Sequence, residues 1–252
     1  MKSFTLFASA LALLIANGAG AADLAASPGP GTWHTSAELG AISTSGNTAG
    51  TSVTGKIDAR QELEVWSNEY IVSGYYKEDD NTLDDGQQVR TTSADRYELS
   101  ARAAYKLLQD GKKLFVLVSH VSDKFGAYTK YSSISAGHSS EWYKSADKTL
   151  DVDLGPGYFS GKHADGSAEQ GLTVRAAAAL KWQLSQSAVF SQTLSVERGT
   201  SNTHSTAETA LSTKINGTMQ MKAAFAARSD TNAPGAKKNT DTQTSVTLVY
   251  SF

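Results

Sequence analysis

The stretch Thr51-Ser52-Val53-Thr54-Gly55-Lys56-Ile57-Asp58-Ala59-Arg60-Gln61-Glu62-Leu63-Glu64-Val65 decides the fold. Every second residue gives Thr51, Val53, Gly55, Ile57, Ala59, Gln61, Leu63 and Val65, a mostly apolar row. Between them stand Ser52, Thr54, Lys56, Asp58, Arg60, Glu62 and Glu64, a hydrophilic row. Successive side chains of a strand point to opposite faces, so this is strand periodicity over about fifteen residues. A helix would spread the same charges round its whole circumference and leave no apolar stripe.

Working outward, the same division recurs over 96–107, 171–184, 218–228 and 242–252. With weaker runs it predicts twelve strands: 33–45, 51–64, 66–78, 93–108, 113–123, 129–142, 149–160, 169–184, 188–198, 204–215, 218–229 and 241–252. Ten or fourteen are the alternatives, because 113–123 and 129–142 do not declare which face is outward. Asp110-Gly111 and Asn216-Gly217 are hairpin pairs. Tight connections of this kind alternate with a set that includes longer polar ones, notably 79–92 and 230–239.

The strands exceed the usual five to six residues of soluble sheets. Nearly every one carries charge on the face that a soluble barrel would bury. The pattern fits an inverted cylinder, apolar toward lipid and polar within. Closure is required, because an open edge in hydrocarbon leaves backbone groups unpaired. The expected fold is therefore an all-β transmembrane antiparallel barrel of about twelve strands with both termini periplasmic. Trp33, Trp66, Trp142 and Trp182 fall near strand ends on the terminal side, as an interfacial girdle would.

Residues 1–21 read as a signal peptide: Lys2, an apolar run from Phe4 to Ala16, and Ala19-Gly20-Ala21 as the cleavage site. The run is too short for the ~30 Å core of a bilayer. A periplasmic linker over 22–32 and a barrel over 33–252 complete the division, and the expected location is the bacterial outer membrane. The 252 residues hold no Cys, which removes thiol catalysis, disulfides and Cys-based zinc sites. A formal charge of −2 argues against nucleic acid as a partner.

The segment Leu39-Gly40-Ala41-Ile42-Ser43-Thr44-Ser45-Gly46-Asn47-Thr48 resembles the first hairpin of the salt-induced outer-membrane protein family. Gly155-Pro156-Gly157-Tyr158 and the terminal Tyr250-Ser251-Phe252 resemble it too, and the likeness extends over about 33–252. It implies an outer-membrane barrel of undefined activity with a structural or envelope-stress role. It also implies an assembly signal on Tyr250 and Phe252, read by the barrel-assembly machinery. Outer-membrane lipids and lipopolysaccharide are the other expected partners, with Lys237 and Lys238 able to meet lipopolysaccharide phosphates.

Alternation assigns a lumen wall to Lys56, Asp58, Arg60, Glu62, Arg96, Glu98, Arg102, Asp151, Asp153, Arg175, Lys181, Glu197, Glu208, Lys214, Lys222 and Arg228. Glu38, Glu64, Glu69 and Lys106 join them. Both signs are interspersed, which predicts a salt-bridged interior; a narrow channel for small solutes is the alternative, without strong ion selectivity. A lipid-acting hydrolase is a remote reading. Its hook is His120-Val121-Ser122 and His138-Ser139-Ser140, a His-x-Ser spacing like that of outer-membrane phospholipases. Strand 129–142 offers no Asn or Asp to orient such a histidine, so no catalytic residue is assigned and the chain is expected not to be an enzyme. No cofactor is expected, and no metal: the acidic run Glu78, Asp79, Asp80, Asp84, Asp85 lacks a calcium-loop pattern. Pro156 cannot donate to a ladder and predicts a local break and a bend in the wall.

Overall fold

A computed structural model describes residues 31–44, 50–82, 87–233 and 238–252. The signal peptide, most of the linker, the turn around Gly46-Asn47, Asp84, Asp85 and Lys237 lie outside them. Twelve strands follow one another: β1 (Thr32–Thr44), β2 (Gly50–Glu62), β3 (Trp66–Thr82), β4 (Gln88–Lys106), β5 (Lys112–Asp123), β6 (Lys130–Lys144), β7 (Lys148–Lys162), β8 (Ala168–Gln183), β9 (Ala188–Arg198), β10 (Thr203–Lys214), β11 (Met219–Asp230) and β12 (Thr240–Ser251). Each pairs antiparallel with the next, and β12 returns to β1, closing the barrel.

Observed strand limits fall within about two residues of the expected ones, except at one hairpin. There the polar stretch expected as a loop over 79–92 continues as strand, with pairing as far as Thr82↔Gln88. A bulge between Lys77 and Glu78 separates this extension from the wall and increases the local twist. Glu64, assigned to the wall by alternation, lies instead in the turn between β2 and β3. A strand must stop before it can reverse, and alternation alone does not say where.

Turns at the terminal end are built by short polar side chains. Asn216 Oδ1 accepts hydrogen bonds from the backbone N–H of Thr218 and Met219, at 3.0 and 2.9 Å. Ser145 Oγ accepts one from Lys148 N at 3.1 Å. Gly111 has φ +71, a conformation costly for residues with a Cβ. At the other end, Asp165 accepts from the Ser167 hydroxyl and N–H, which hold its carboxyl below the usual range.

The outer surface is apolar: Leu39, Val53, Ile57, Val72, Leu99, Val116, Val118, Leu154, Leu172, Phe225 and Leu248 are all exposed. Trp33, Trp66, Trp142 and Trp182 are exposed too, all at the end that carries the termini. Tyr70 stacks on Trp33, with ring centroids 6.1 Å apart, and Tyr105 meets Trp66 edge-on at 5.2 Å. Interfacial aromatics of this kind suit a water–lipid boundary.

One seam is unlike the rest. Between β1 and β12 the register runs only from Ser36↔Ser251 to Leu39↔Leu248. Thr35 and Phe252 extend it by two backbone hydrogen bonds, at 3.0 and 2.9 Å, which anchor the final residue of the chain.

Candidate functional site

The candidate site is the lumen. The register sets Glu38 beside Lys56, Arg60 beside Glu69, Arg175 beside Glu197 and Asp153 beside Ala177, all on the inner face. Alternation places Asp58, Glu62, Arg96, Glu98, Arg102, Asp151, Lys181, Glu208, Lys214, Lys222 and Arg228 on that face as well. These groups form distinct clusters.

The first lies along β10, β11, β1, β2 and β3. Lys222 Nζ sits 3.3 Å from Glu38 and 3.0 Å from Glu208, bridging three strands. Asp58 holds Lys56 at 3.5 Å and Arg60 at 3.0 Å, and Arg60 reaches Glu69 at 2.7 Å. Water still reaches this wall: the side chains of Arg60 and Glu208 are 59% and 41% exposed although both face inward.

The second cluster crosses the space between β4 and β7. Arg102 Nη2 donates to both Asp153 carboxylate oxygens, at 3.2 and 3.1 Å, and its guanidinium lies 5.1 Å from the Phe115 ring centroid. Phe115 is almost fully buried. Room for these large groups comes from small neighbours: Ser133, Ser135, Gly137 and Ser139 on β6, and Gly155 and Gly157 on β7. The two strands press together there. A Cβ on Gly155 would lie 2.1 Å from the Ala136 carbonyl oxygen, and one on Gly137 2.2 Å from that of Leu154. The pairing runs Ser135↔Gly157 and then resumes at His138↔Leu154, so the ladder is interrupted beside Pro156. This matches the break expected from a residue without an N–H.

The third cluster lies at the end opposite the termini. Tyr131 is buried on β6 and stacks on His204 of β10 (4.9 Å) and Phe159 of β7 (5.5 Å). Its hydroxyl donates to Glu197 Oε2 at 3.0 Å, while Arg175 Nη1 donates to Glu197 Oε1 at 2.7 Å. His204 Nδ1 lies 2.9 Å from Asp230, which also accepts from Asn202 at 2.8 Å. The β5–β6 loop folds inward, burying Ala127 and Tyr128 against Tyr131 and Phe159. Tyr128 donates to Glu169 at 2.9 Å and stacks on His163.

Sequence reading missed this aromatic cluster. The signal was present: Tyr131 and Phe159 occupy the inward register of their strands, but alternation by polarity marks only the ionised groups there.

The two His-x-Ser histidines lie on the outer surface, His120 paired with Leu99 and His138 with Leu114. His120 Nδ1 is 2.8 Å from Ser132 Oγ, and its ring lies 5.9 Å from that of Tyr97. Among the described residues neither histidine has a carboxylate partner. Glu78 and Asp80 are engaged by Arg90, and Asp79 by Lys77. Among the described residues no group of three His, Cys, Asp or Glu side chains could hold a metal ion. At the chain end, Tyr250 and Phe252 are both exposed, with rings 5.7 Å apart.

Comparison with known proteins gives three findings. The family described as "Protein of unknown function, DUF481" matches residues 37–252. The uncharacterised protein YdiY of Escherichia coli K12 is 26% identical over 214 residues, which are 84% of this chain and 81% of that protein. Among solved structures, the COG4313 outer-membrane channel from Pseudomonas putida F1 superposes with a TM-score of 0.53 at 11% identity, covering 92% of this chain and 98% of that one. The fold is thus one that outer-membrane barrels adopt.

Proposed function

The chain belongs to this family of unknown function, and from its lumen we propose that it is a narrow outer-membrane channel for small polar solutes. One observation carries the reading. Glu208, mid-strand on β10, and Arg60, near the end of β2, face the inside of a closed barrel yet remain 41% and 59% exposed, so the interior on this side is not filled completely, although their partners Asp58, Lys222 and Glu38 are largely buried. Twelve strands lie between eight, whose interior side chains fill, and sixteen, which leave an aqueous channel. Signs alternate along the hydrated wall, so weak ion selectivity is expected; selective pores use rings of one sign.

The alternative is a structural barrel with an envelope-stress role, which the buried Tyr131–Glu197–Arg175 cluster favours. The full mature chain in a planar bilayer separates the two. Steady single-channel conductance supports the channel, and a silent bilayer overturns it in favour of the structural reading. The salt link belongs to the resemblance noted above; the matching family description names no such response.

The same reading puts the exposed Trp end and both termini in the periplasm, after removal of residues 1–21. It gives Tyr250 and Phe252 to the barrel-assembly machinery as their contact. Lys130 and Lys162 oppose each other across β6 and β7 at the outer rim, both exposed. Like charges directly opposite are unfavourable, and a lipopolysaccharide phosphate between them would relieve the repulsion. No catalytic step is assigned, since His120 and its serine face lipid without an orienting acid.

A further inference from the structure

We infer that the β5–β6 loop is a pH-sensitive strap, fastened at the end opposite the termini by the protonated form of His163 and released when that ring loses its charge. The ends of the loop are fixed by backbone. Asp123 N–H donates to the Thr129 carbonyl at 3.1 Å, and Thr129 N–H to the Lys162 carbonyl at 2.7 Å. Its inner part, Ala127-Tyr128, is buried against Tyr131 and Phe159. The Tyr128 ring meets Tyr131 edge-on at 5.5 Å and lies against Gly161, where a Cβ would come within 2.5 Å of it. What holds this inner part down is the turn between β7 and β8.

His163 opens that turn, and its side chain is only 10% exposed. The ring stacks on Tyr128 with centroids 4.3 Å apart. Nδ1 lies 3.1 Å from the Ala127 carbonyl oxygen, and Nε2 3.7 Å from Glu169 Oε2 on β8. Both ring nitrogens therefore face oxygens that only accept. A neutral imidazole has one N–H. Given to Ala127, it leaves the Nε2 lone pair turned toward a carboxylate, whereas the imidazolium donates on both sides. Glu169 needs that second donor. Its Oε2 accepts from the Tyr128 hydroxyl at 2.9 Å, and its Oε1 is buried without a hydrogen-bond partner. Among the described residues His163 is the one cation within ion-pair distance of Glu169. Loss of its proton leaves a mostly buried carboxylate without a counter-charge.

The other titratable groups around the strap leave the switch to His163. Burial, and then the bond to Glu169, push the Tyr128 hydroxyl up, so it stays a donor throughout; Asp230 of β11 acts on it in the same direction. Asp165, on the same turn as His163, is engaged by Ser167. Lys130 and Lys162 lie on the outer face. His204 reaches the strap only through Tyr131 and has its own carboxylate, Asp230. The sign follows from the charged partner. The ion pair is present while the imidazole is protonated and is lost as pH rises through the range in which imidazoles titrate, about pH 5 to 8. The strap is fast in acid and loose in alkali. This concerns the loop alone and holds whether or not the lumen conducts.

The chain has no cysteine, so Phe125→Cys, at an exposed position of the loop, takes a single nitroxide label. Spin-label spectra of the mature protein in phospholipid vesicles are recorded from about pH 5 to about pH 8. A label immobilised in acid that becomes mobile as pH rises is expected. In His163→Gln the label should be mobile at every pH. Glu169→Gln, which keeps an acceptor for the Tyr128 hydroxyl, should behave like His163→Gln and serves as the second variant should the first fail to fold. His204→Gln should keep the response of the parent. A parent label that ignores pH, an unchanged response or a permanently immobilised label in His163→Gln or Glu169→Gln, or a response lost in His204→Gln overturns the strap. The spectra need no current through the barrel, so failure of the channel reading is not mistaken for failure of this one.

Discussion

Along the inner face of β6 the residues are Tyr131, Ser133, Ser135, Gly137 and Ser139; along that of β2 they are Thr54, Lys56, Asp58 and Arg60. The two strands lie in different parts of one cylinder and solve its interior differently. From β5 to β8 the wall uses small residues to make room for a few large ones, and the rings of Phe115, Tyr131 and Phe159 are buried. From β10 round to β3 it uses ionised side chains that compensate one another, some largely buried (Asp58, Lys222, Glu38) and some exposed (Arg60, Glu208). Packing wins where volume can be filled from several strands at once. Pairing wins where the charges are many, because an unpaired buried charge costs several kcal/mol and Asp58, Lys222 and Glu38 are each held in an ion pair. A barrel of this size can thus be closed on one side and wet on the other.

The sharpest way to break the contrast is at the closest strand contact. Gly155→Val would drive its Cβ into the Ala136 carbonyl, 2.1 Å away. Backbone, not a yielding side chain, is in the way, so the cost should exceed the ~1–3 kcal/mol of ordinary overpacking. The expected result is loss of the folded, heat-modifiable band on a gel. Gly55→Val on β2, where the added side chain would point outward and its Cβ would have its nearest neighbour 3.8 Å away, should fold.

Next comes the ion pair on the packed side. Glu197 is 5% exposed and takes Arg175 at 2.7 Å and the Tyr131 hydroxyl. Glu197→Ala leaves a buried guanidinium unpaired, and about 3–5 kcal/mol of destabilisation is expected. Glu208→Ala, at a 41% exposed carboxylate, should cost about 1 kcal/mol or less. Urea unfolding in detergent compares them, and equal losses would erase the distinction between the two walls.

How much of this was legible in the sequence follows the same division. Period-two alternation is clean where the inner face is charged, and β2 could be read residue by residue. It fades in β5 and β6, the strands whose outward face was in doubt. β5 carries Phe115, Leu117 and Val121 inward and Leu114, Val116 and Val118 outward. Both faces are apolar because the inner one packs against rings, and a pattern built on polarity is blind to that. The third cluster was hidden for a further reason. Tyr131, His204 and Asp230 are far apart in the chain and meet only because closure brings β6, β10 and β11 to one end. Pro156 was readable because its missing donor has a local consequence.

Conductance then sharpens the comparison. Tyr131→Ala removes a buried ring from the inner face at the end opposite the termini and should raise single-channel conductance with little change in reversal potential. Lys222→Gln removes a charge that Glu38 and Glu208 share. It should shift the reversal potential toward cations and leave conductance nearly unchanged. Opposite outcomes would mean that the charged side, not the aromatic side, sets the narrowest point.

The smallest effect is expected on the outside of the barrel. His120 lies on the outer surface beside Leu99, and its ring nitrogen is satisfied by Ser132 at 2.8 Å. Removing the ring by His120→Ala deletes one hydrogen bond, worth about 0.5–1.5 kcal/mol, and a contact with Tyr97. The Ser132 hydroxyl left behind can turn to a backbone carbonyl, so the loss should fall at the lower end of that range. A nucleophile–base pair would behave otherwise. It would be nearly neutral for folding but decisive for hydrolysis, and it would need an acid on the far ring nitrogen to hold the tautomer. Lipid hydrolysis measured on the wild type and on His120→Ala therefore completes the comparison of inner and outer faces. Turnover by the wild type that vanishes in the variant would place chemistry on the lipid-facing surface, where the charge pattern puts none.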